Sequence, residues 1–420
     1  MSNKVKGGGK VPKLRFPEFR DAAAWEEKKL DDACEVNPPA KRLPERFVYI
    51  DLESVEAGVL LKKTIIGIDN APSRAQRPLK SGDVLFQMVR PYQKNNYLFW
   101  PEGEFSYVAS TGYAQLRAHQ SATFLFHYLH TDAFVDKVMA KATGSNYPAI
   151  NSGDLSKLTV TTPNQPEQQK IADCLSSIDE VIVAQAQKLD ALKVHRNSLM
   201  QQLFPAENET MPKLRFPEFR DAGKWESTTL SQLVDFQSGS TPFKGNPAYW
   251  NGSIPWVSAK DMKKLFLDDS EDHITTAAVD DGAKQVPAVT VLMLTRGMTL
   301  LKDVPICILS RPMSFNQDVK ALQPKEDFDG RFLAYLLLGS RQRLLSLVDI
   351  SGHGTGRLDT DELKALDVML PKPAEQQLIA ACLSSIDDLI TAQTQKIEAL
   401  KAHKKGLMQQ LFPAAGEAQG

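Results

Sequence analysis

Cysteine is scarce in this chain: Cys34, Cys174, Cys307 and Cys382 are the only four in 420 residues. They make no CxxC pair and no dense framework, which excludes a disulfide-stapled scaffold, argues against a thiolate zinc site and fits a reducing compartment. Net charge is also nearly absent, with 50 Lys and Arg against 51 Asp and Glu, or −1 at pH 7. A polyanionic partner must therefore be held by local patches rather than by overall attraction. Long apolar runs are missing too, since none approaches the roughly 20 residues that span a bilayer. No secretory signal opens the chain, and "MSNKVKGGGK" reads as a flexible basic tail. A cytoplasmic protein without membrane contact is expected.

Catalytic and cofactor motifs are equally thin. There is no P-loop and no PD…ExK nuclease pattern, and "GGGK" lacks the necessary spacing. "NPPA" from Asn37 to Ala40 approaches the N-P-P-aromatic signature of amino-methyltransferases, but Ala40 stands where the stacking aromatic belongs. It reads as a Pro-rich turn. "GHGTG" from Gly352 to Gly356 could pass for a nucleotide loop, yet a lone GxG is weak, and a mobile loop is expected. His127 and His130 lie one helical turn apart in "HYLH" with no acidic or Cys ligand close by, so a surface or core pair is favoured over a metal site.

What the chain has in abundance is itself. "PKLRFPEFRDA" occupies Pro12 to Ala22 and returns unchanged from Pro212 to Ala222. "EQQKIADCLSSIDEVIVAQAQKLDALKVHRNSLMQQLFPA" (Glu167 to Ala206) returns as "EQQLIAACLSSIDDLITAQTQKIEALKAHKKGLMQQLFPA" (Glu375 to Ala414). The middles between these ends barely resemble each other. Matched ends around divergent middles imply one shared task and two versions of another.

The second repeated stretch is a rod. Its apolar positions step by four and three: Ile171, Leu175, Ile178, Ile182, Leu189, Leu192, Leu199 and Leu203, then Ile379, Leu383, Ile386, Ile390, Ile397, Leu400, Leu407 and Leu411. That stripe specifies a coiled-coil seam, with Gln185 and Gln393 as matching polar register markers. Each rod stops at "LFP", where proline cannot continue a helix. Each rod needs a partner and the other is the best available, so an antiparallel pair with a pseudo-two-fold axis is expected, a fused dimer of half-proteins.

The globules lack a βαβα rhythm. "RFVYIDL", "GDVLFQMV" and "SYVAST" read as strands, followed by the helical "SATFLFHYLHTDAFVDKVMAKA". The second globule offers "SIPWVSA", "AVTVLMLT" and "PICILS", then "DGRFLAYLLLGSRQRLLSLV". Strands first and helices after suggest α+β. The expected organisation is a tail (1–11), a globule (12–163), a helix (164–206), a linker and second globule (207–371), a second helix (372–413) and a tail (414–420). "VLFQMVR" ending at Arg90 echoes "VLMLTR" ending at Arg296.

Basic and aromatic residues supply the functional signal. Pro72 to Tyr97 holds Arg74, Arg77, Lys80, Arg90 and Lys94 against one acid, Asp83, with Phe86, Tyr92 and Tyr97 interleaved. The second globule carries Lys244, Lys260, Lys263 and Lys264 among Tyr249, Trp250 and Trp256. A single charge run is usually only a solvated face. Two, one per globule in a near-neutral protein, point to a phosphate backbone, with Arg, Asn and Gln able to read base edges. The candidate DNA-contacting residues are Arg74, Arg77, Lys80, Arg90, Tyr92, Lys94, Asn95 and Tyr147 in the first globule. In the second they are Lys244, Trp256, Lys260, Lys263, Arg296, Asn316, Gln317, His353 and Arg357.

From about residue 12 to 413 the chain resembles the specificity subunits of type I restriction-modification systems. The resemblance rests on "PKLRFPEFR", "GSTP" (Gly239 to Pro242), "IPWVSAKDM" (Ile254 to Met262), "SRAQ" (Ser73 to Gln76), "GDVLF…VRP" (Gly82 to Pro91), "FNQD" (Phe315 to Asp318), "EQQ…LSSID" and "LMQQLFP". It implies two target-recognition domains separated by two long helices, each domain reading half of a bipartite, asymmetric DNA site. It also implies a non-catalytic chain without cofactor, joined by two methyltransferase subunits and by translocase-nuclease restriction subunits; S-adenosylmethionine, ATP and Mg belong to those partners. The first globule departs from the pattern by offering "VNPPAKRLPERFVYIDL" in place of "GSTP". A self-contained modification enzyme and a coiled-coil adaptor with protein-binding globules are the rival readings.

Overall fold

The computed structural model describes residues 10–40, 42–207, 209–325, 328–350 and 354–413. His353, the residues before Lys10 and those after Pro413 lie outside the described residues. Both rods are continuous helices of 39 residues, Gln165–Leu203 and Pro373–Leu411. Every member of the apolar stripe is buried or half-buried, as a seam requires. Gln393 is buried within it.

Compactness divides the chain differently from the segmentation by sequence. One unit is Met1–Ala186 with Gln395–Gly420, and the other is Gln187–Thr394. Each helix is shared because each of its ends packs on the globule found there. In the first unit Ile171, Ala172 and Leu175 share a core with Leu411 and Phe412, and further along Asp179 meets Lys404. In the second, Arg196 meets Asp387, and Met200, Leu203 and Phe204 share a core with Ile379, Ala380 and Leu383. Within each unit the two helical segments therefore run antiparallel.

The repeated "PKLRFPEFRDA" is the bracket that fixes a helix to a globule. Arg15 grips Glu167 through Nε and Nη2, and Arg215 grips Glu375 in the same way, both carboxylates being 1% exposed. A planar guanidinium matches a carboxylate bidentately, so the geometry explains why arginine stands at both positions. Arg15 Nη1 also donates to the Ala22 carbonyl and Arg215 Nη1 to that of Gly223, closing the loop on itself. Leu14 N donates to Gln410 O in the first unit, and Leu214 N to Gln202 O in the second.

The first globule holds two four-stranded sheets. One is ordered Thr64–Gly67, Arg46–Ile50, Ser106–Ser110, Ala75–Pro78, and the other Cys34–Val36, Tyr113–Ala118, Asp83–Gln87, Tyr97–Leu98. The helical stretch expected after them is two helices, Ala122–Leu129 and Asp132–Met139, because Thr131 caps the second by accepting from Phe134 N. The second globule enlarges this plan. A five-stranded sheet runs Val234–Ser238, Val319–Pro324, Val291–Leu294, Ile306–Leu309, Phe266–Leu267. Beside it lie a four-stranded sheet containing Trp250–Val257 and a three-stranded one joining Arg296–Gly297, Gly356–Leu358 and Val348–Ile350. Most strands precede the main helices in each globule, an α+β arrangement, but the strands Thr159–Thr162, Val348–Ile350, Gly356–Leu358 and Asp367–Leu370 come after them.

Candidate nucleic-acid interface

In the first globule a chain of backbone hydrogen bonds gathers four loops at one end of the sheets. Thr111 N donates to Arg74 O, Met88 N to Gly112 O, Ile150 N to Met88 O and Arg90 N to Pro148 O. Arg74 is exposed on this rim. Arg77 is half-buried, its Nε donating to Tyr113 O at 2.8 Å, and burial pushes its pKa down. Arg90 adopts the left-handed conformation (φ 54°) and lays its guanidinium 4.3 Å from the ring centre of Tyr147. Tyr147 is itself 62% exposed, so the stacked pair presents a cation and an aromatic face together. Tyr92 is also exposed, in the short 3-10 turn Pro91–Gln93.

Other candidates are placed elsewhere or given other partners. Lys80 precedes the strand Asp83–Gln87 and Arg90 follows it, so about 16 Å of strand separates them. Lys94 donates to His130 O and Asp132 Oδ1 at 2.9 and 2.6 Å. Asn95 accepts from Ala57 N. Asp83, the one acid of the patch, is buried and clamped by Arg117 at 2.9 Å on both oxygens, with Gln115 Nε2 also donating to it. Its charge is neutralised inside the sheet. Asn37, in "NPPA", takes φ 52° and exchanges hydrogen bonds with Gln115 as a turn residue.

The second globule builds its rim from three loops. Trp256 is buried, and its Nε1 donates 3.0 Å to Ser240 O, fixing the "GSTP" loop from beneath. A Cβ at Gly239 would collide with the Phe315 and Asn316 carbonyls, so only glycine lets the loop lie this close. Gln317 accepts from the Thr241 hydroxyl. Asp318 O accepts from Thr295 N and Arg296 N, and Arg296 pairs with Arg357 across the small sheet. Thr241, Gln317, Arg296 and Arg357 are thus tied into one rim. Asn316 is buried and its Oδ1 accepts from Asp318 N, which shapes the turn. Lys244 and Lys263 are exposed. Lys260 is held by Glu271 and Asp272 at 3.2 and 2.9 Å.

The matching of Arg90 with Arg296 is off by one. Ile150 N bonds Met88 O where Leu358 N bonds Thr295 O, so Arg296 corresponds to Val89 and Arg90 to Gly297. Two exposed apolar side chains also stand at the second rim, Phe243 and Met298, where an apolar letter by itself reads as core. The Pro and Gly residues in "TPFKGNP" are the signal that Phe243 sits on a loop.

Among the described residues no group of three or more His, Cys, Asp or Glu could hold a metal ion. His130 faces the Phe126 and Lys94 carbonyls with its two ring nitrogens, and burial pushes its pKa to about 4. Cys34 and Cys307 are buried, and that burial raises both thiols to about 12. No described helix is long and apolar enough to cross a membrane.

The family model "Type I restriction modification DNA specificity domain" matches residues 23–194 and again 222–402. The specificity subunit of the type I restriction enzyme EcoR124I/EcoR124II of Escherichia coli is 26% identical over 379 residues, 87% of each chain. That of the HindI enzyme of Haemophilus influenzae is 22% identical, covering 83% of this chain and 90% of its own. The crystal structure of the type I S subunit from M. genitalium has the same fold, with a TM-score of 0.59 at 16% identity, over 96% of this chain and all of that one. The match recurs once per globule and each time runs on into the helix that follows. The chain belongs to the type I restriction-modification DNA specificity family.

Proposed function

We propose that each globule reads one half of a bipartite duplex DNA site through its rim, and that the chain itself performs no chemistry. The observation that carries this is the contrast between matched scaffold and unmatched rims. The first rim presents Arg90 stacked on Tyr147, and the second presents Arg296, Gln317 and Arg357 on a braced loop set. Arginine and glutamine on fixed backbone suit hydrogen bonding to base edges, whereas Arg74, Lys244 and Lys263 suit phosphate. Two near-identical brackets suit two copies of one methyltransferase subunit, with restriction subunits joining the same cytoplasmic assembly. S-adenosylmethionine, ATP and Mg would reside on those partners.

The test is methylated-adenine mapping with the assembled methyltransferase. Arg90→Ala is expected to relax the first half-site alone and Arg296→Ala the second alone, each by about 1–3 kcal/mol of discrimination. Equal loss of preference in both halves refutes the division of labour. Methyl transfer by the isolated chain refutes its non-catalytic role.

A further inference from the structure

The most exposed large apolar side chain among the described residues is Phe243, at 74%. It belongs to neither the core nor any aromatic cluster of the second globule, yet the loop around it is held from several sides. Its carbonyl accepts from Trp250 Nε1 at 3.3 Å and from Asn246 N at 3.1 Å. Trp256 Nε1 holds Ser240 O, Pro242 is buried, and Gly239 is wedged against the Phe315–Asn316 backbone. The ring lies across Gly245, where a Cβ would sit 2.7 Å from its edge. Two indoles and two glycines thus support a loop whose tip offers a bare phenyl ring to solvent.

Charge says what the tip faces. From Phe236 to Lys260 the sequence contains no Asp or Glu, and Lys244 stands exposed next to the ring. An apolar ring beside a cation on an acid-free loop suits a ligand that combines flat apolar faces with negative charge. Nucleobases flanked by phosphates have that chemistry. We propose that Phe243 is a DNA-contacting residue of the second globule, its ring packing on a base of the second half-site while Lys244 takes a neighbouring phosphate. This rests on the reading of that globule as a half-site reader. It adds an apolar contact that no hydrogen-bonding candidate supplies, and it assigns Trp250, Trp256 and Gly245 as the residues that position the ring.

The experiment uses the assembled methyltransferase and a duplex carrying its mapped target. Phe243→Ala is expected to weaken binding about ten-fold or more at every salt concentration with the salt slope unchanged, as loss of an apolar contact requires. Lys244→Ala is expected to lower that slope by about one unit, as loss of one phosphate contact requires. Phe243→Trp keeps a flat apolar face and is expected to retain most of the affinity, which separates lost contact from lost folding. With p-benzoylphenylalanine in place of Phe243, irradiation is expected to cross-link the chain to DNA within the second half-site. Affinity of Phe243→Ala within two-fold of the parent, or a cross-link to a protein subunit, overturns the inference and leaves half-site reading intact. Failure of the parent complex to select any sequence removes both.

Discussion

The two units meet their helices through the same three positions filled in two different ways. In the second unit Tyr335 donates its hydroxyl to Asp387 at 2.7 Å, and Arg196 grips the same carboxylate with Nε at 2.7 Å. In the first, His127 stands where Tyr335 does, Asp179 replaces Asp387 and Lys404 replaces Arg196. His127 Nε2 is buried without a hydrogen bond, 4.0 Å from Asp179, whose oxygens are both held by Lys404 at 2.6 Å. Burial, with Lys404 and His130 near, holds the His127 pKa well below its usual value. The brackets differ in the opposite sense. Trp25 Nε1 donates to Glu167 at 3.2 Å, while Trp225 Nε1, equally buried, finds no partner among the described residues. One scaffold thus tolerates a missing hydrogen bond at the junction in one unit and at the bracket in the other.

The bracket gives the largest expected effect. Glu167→Ala leaves the Arg15 guanidinium buried and unpaired, which costs about 3–5 kcal/mol, and it also strips Trp25 of its acceptor. Glu375→Ala faces the same loss for Arg215 without the indole, so it is expected to cost about 1 kcal/mol less. Urea unfolding of the two variants checks the order, and equal costs would show that the Trp25 bond contributes nothing.

At the junction, Tyr335→Phe removes a hydrogen bond to a charged group and is expected to cost about 1.5–3 kcal/mol. His127→Phe removes only an unpartnered polar atom and is expected to be neutral or stabilising. Amide exchange read separately over Gly330–Gly339 and Ala122–Leu129 would localise each effect; a large loss from His127→Phe would show that its imidazole has a partner after all.

These contrasts show what could be read from letters alone. The helices were legible, since a 4-3 apolar stripe over 39 residues admits one secondary structure and its ends are written as "LFP". The bracket was visible as a repeat but not as a device, because Arg15 and Glu167 are 152 residues apart and no local pattern joins them. The rims were half legible. Arg90, Arg296 and Gln317 stood in basic or turn-rich stretches, yet Trp256 proved to be a brace and Lys94 a partner of Asp132. Matching Arg90 with Arg296 by letter fails by one residue because the two arginines stand at successive positions of one shared strand exit, Met88 matching Thr295 in both position and backbone bonding. Hydrogen-bond register, not residue type, decides that alignment.

Acid gives the smallest effect near neutrality and separates the units again. His127 is buried and His130 half-buried, and desolvation holds both folded pKa values below the unfolded value near 6.5. The unfolded chain then binds more protons below that pH. Stability from this source is complete above about 6.5 and is lost as pH falls toward about 4, where His130 titrates in the fold. Tyr335 and Leu338 occupy the equivalent places in the second unit, so the first should loosen earlier on acidification. The double variant His127→Phe, His130→Leu is expected to flatten that pH dependence, and an unchanged profile in amide exchange would assign the acid response to carboxylates instead.

The closing of the first core by the end of the second helix has a consequence for how the protein is made. Phe412 packs against Trp25, Phe124 and Tyr128, so the first globule is completed by residues encoded after the whole of the second. Its apolar wall around Trp25 must wait while the second globule and its helix are made, tens of seconds at roughly 5–20 residues per second, before its own lid emerges. A premature stop at Leu407, which takes away the second "LMQQLFP", would therefore injure the first globule, while the second core, already closed by Phe204, keeps its own lid.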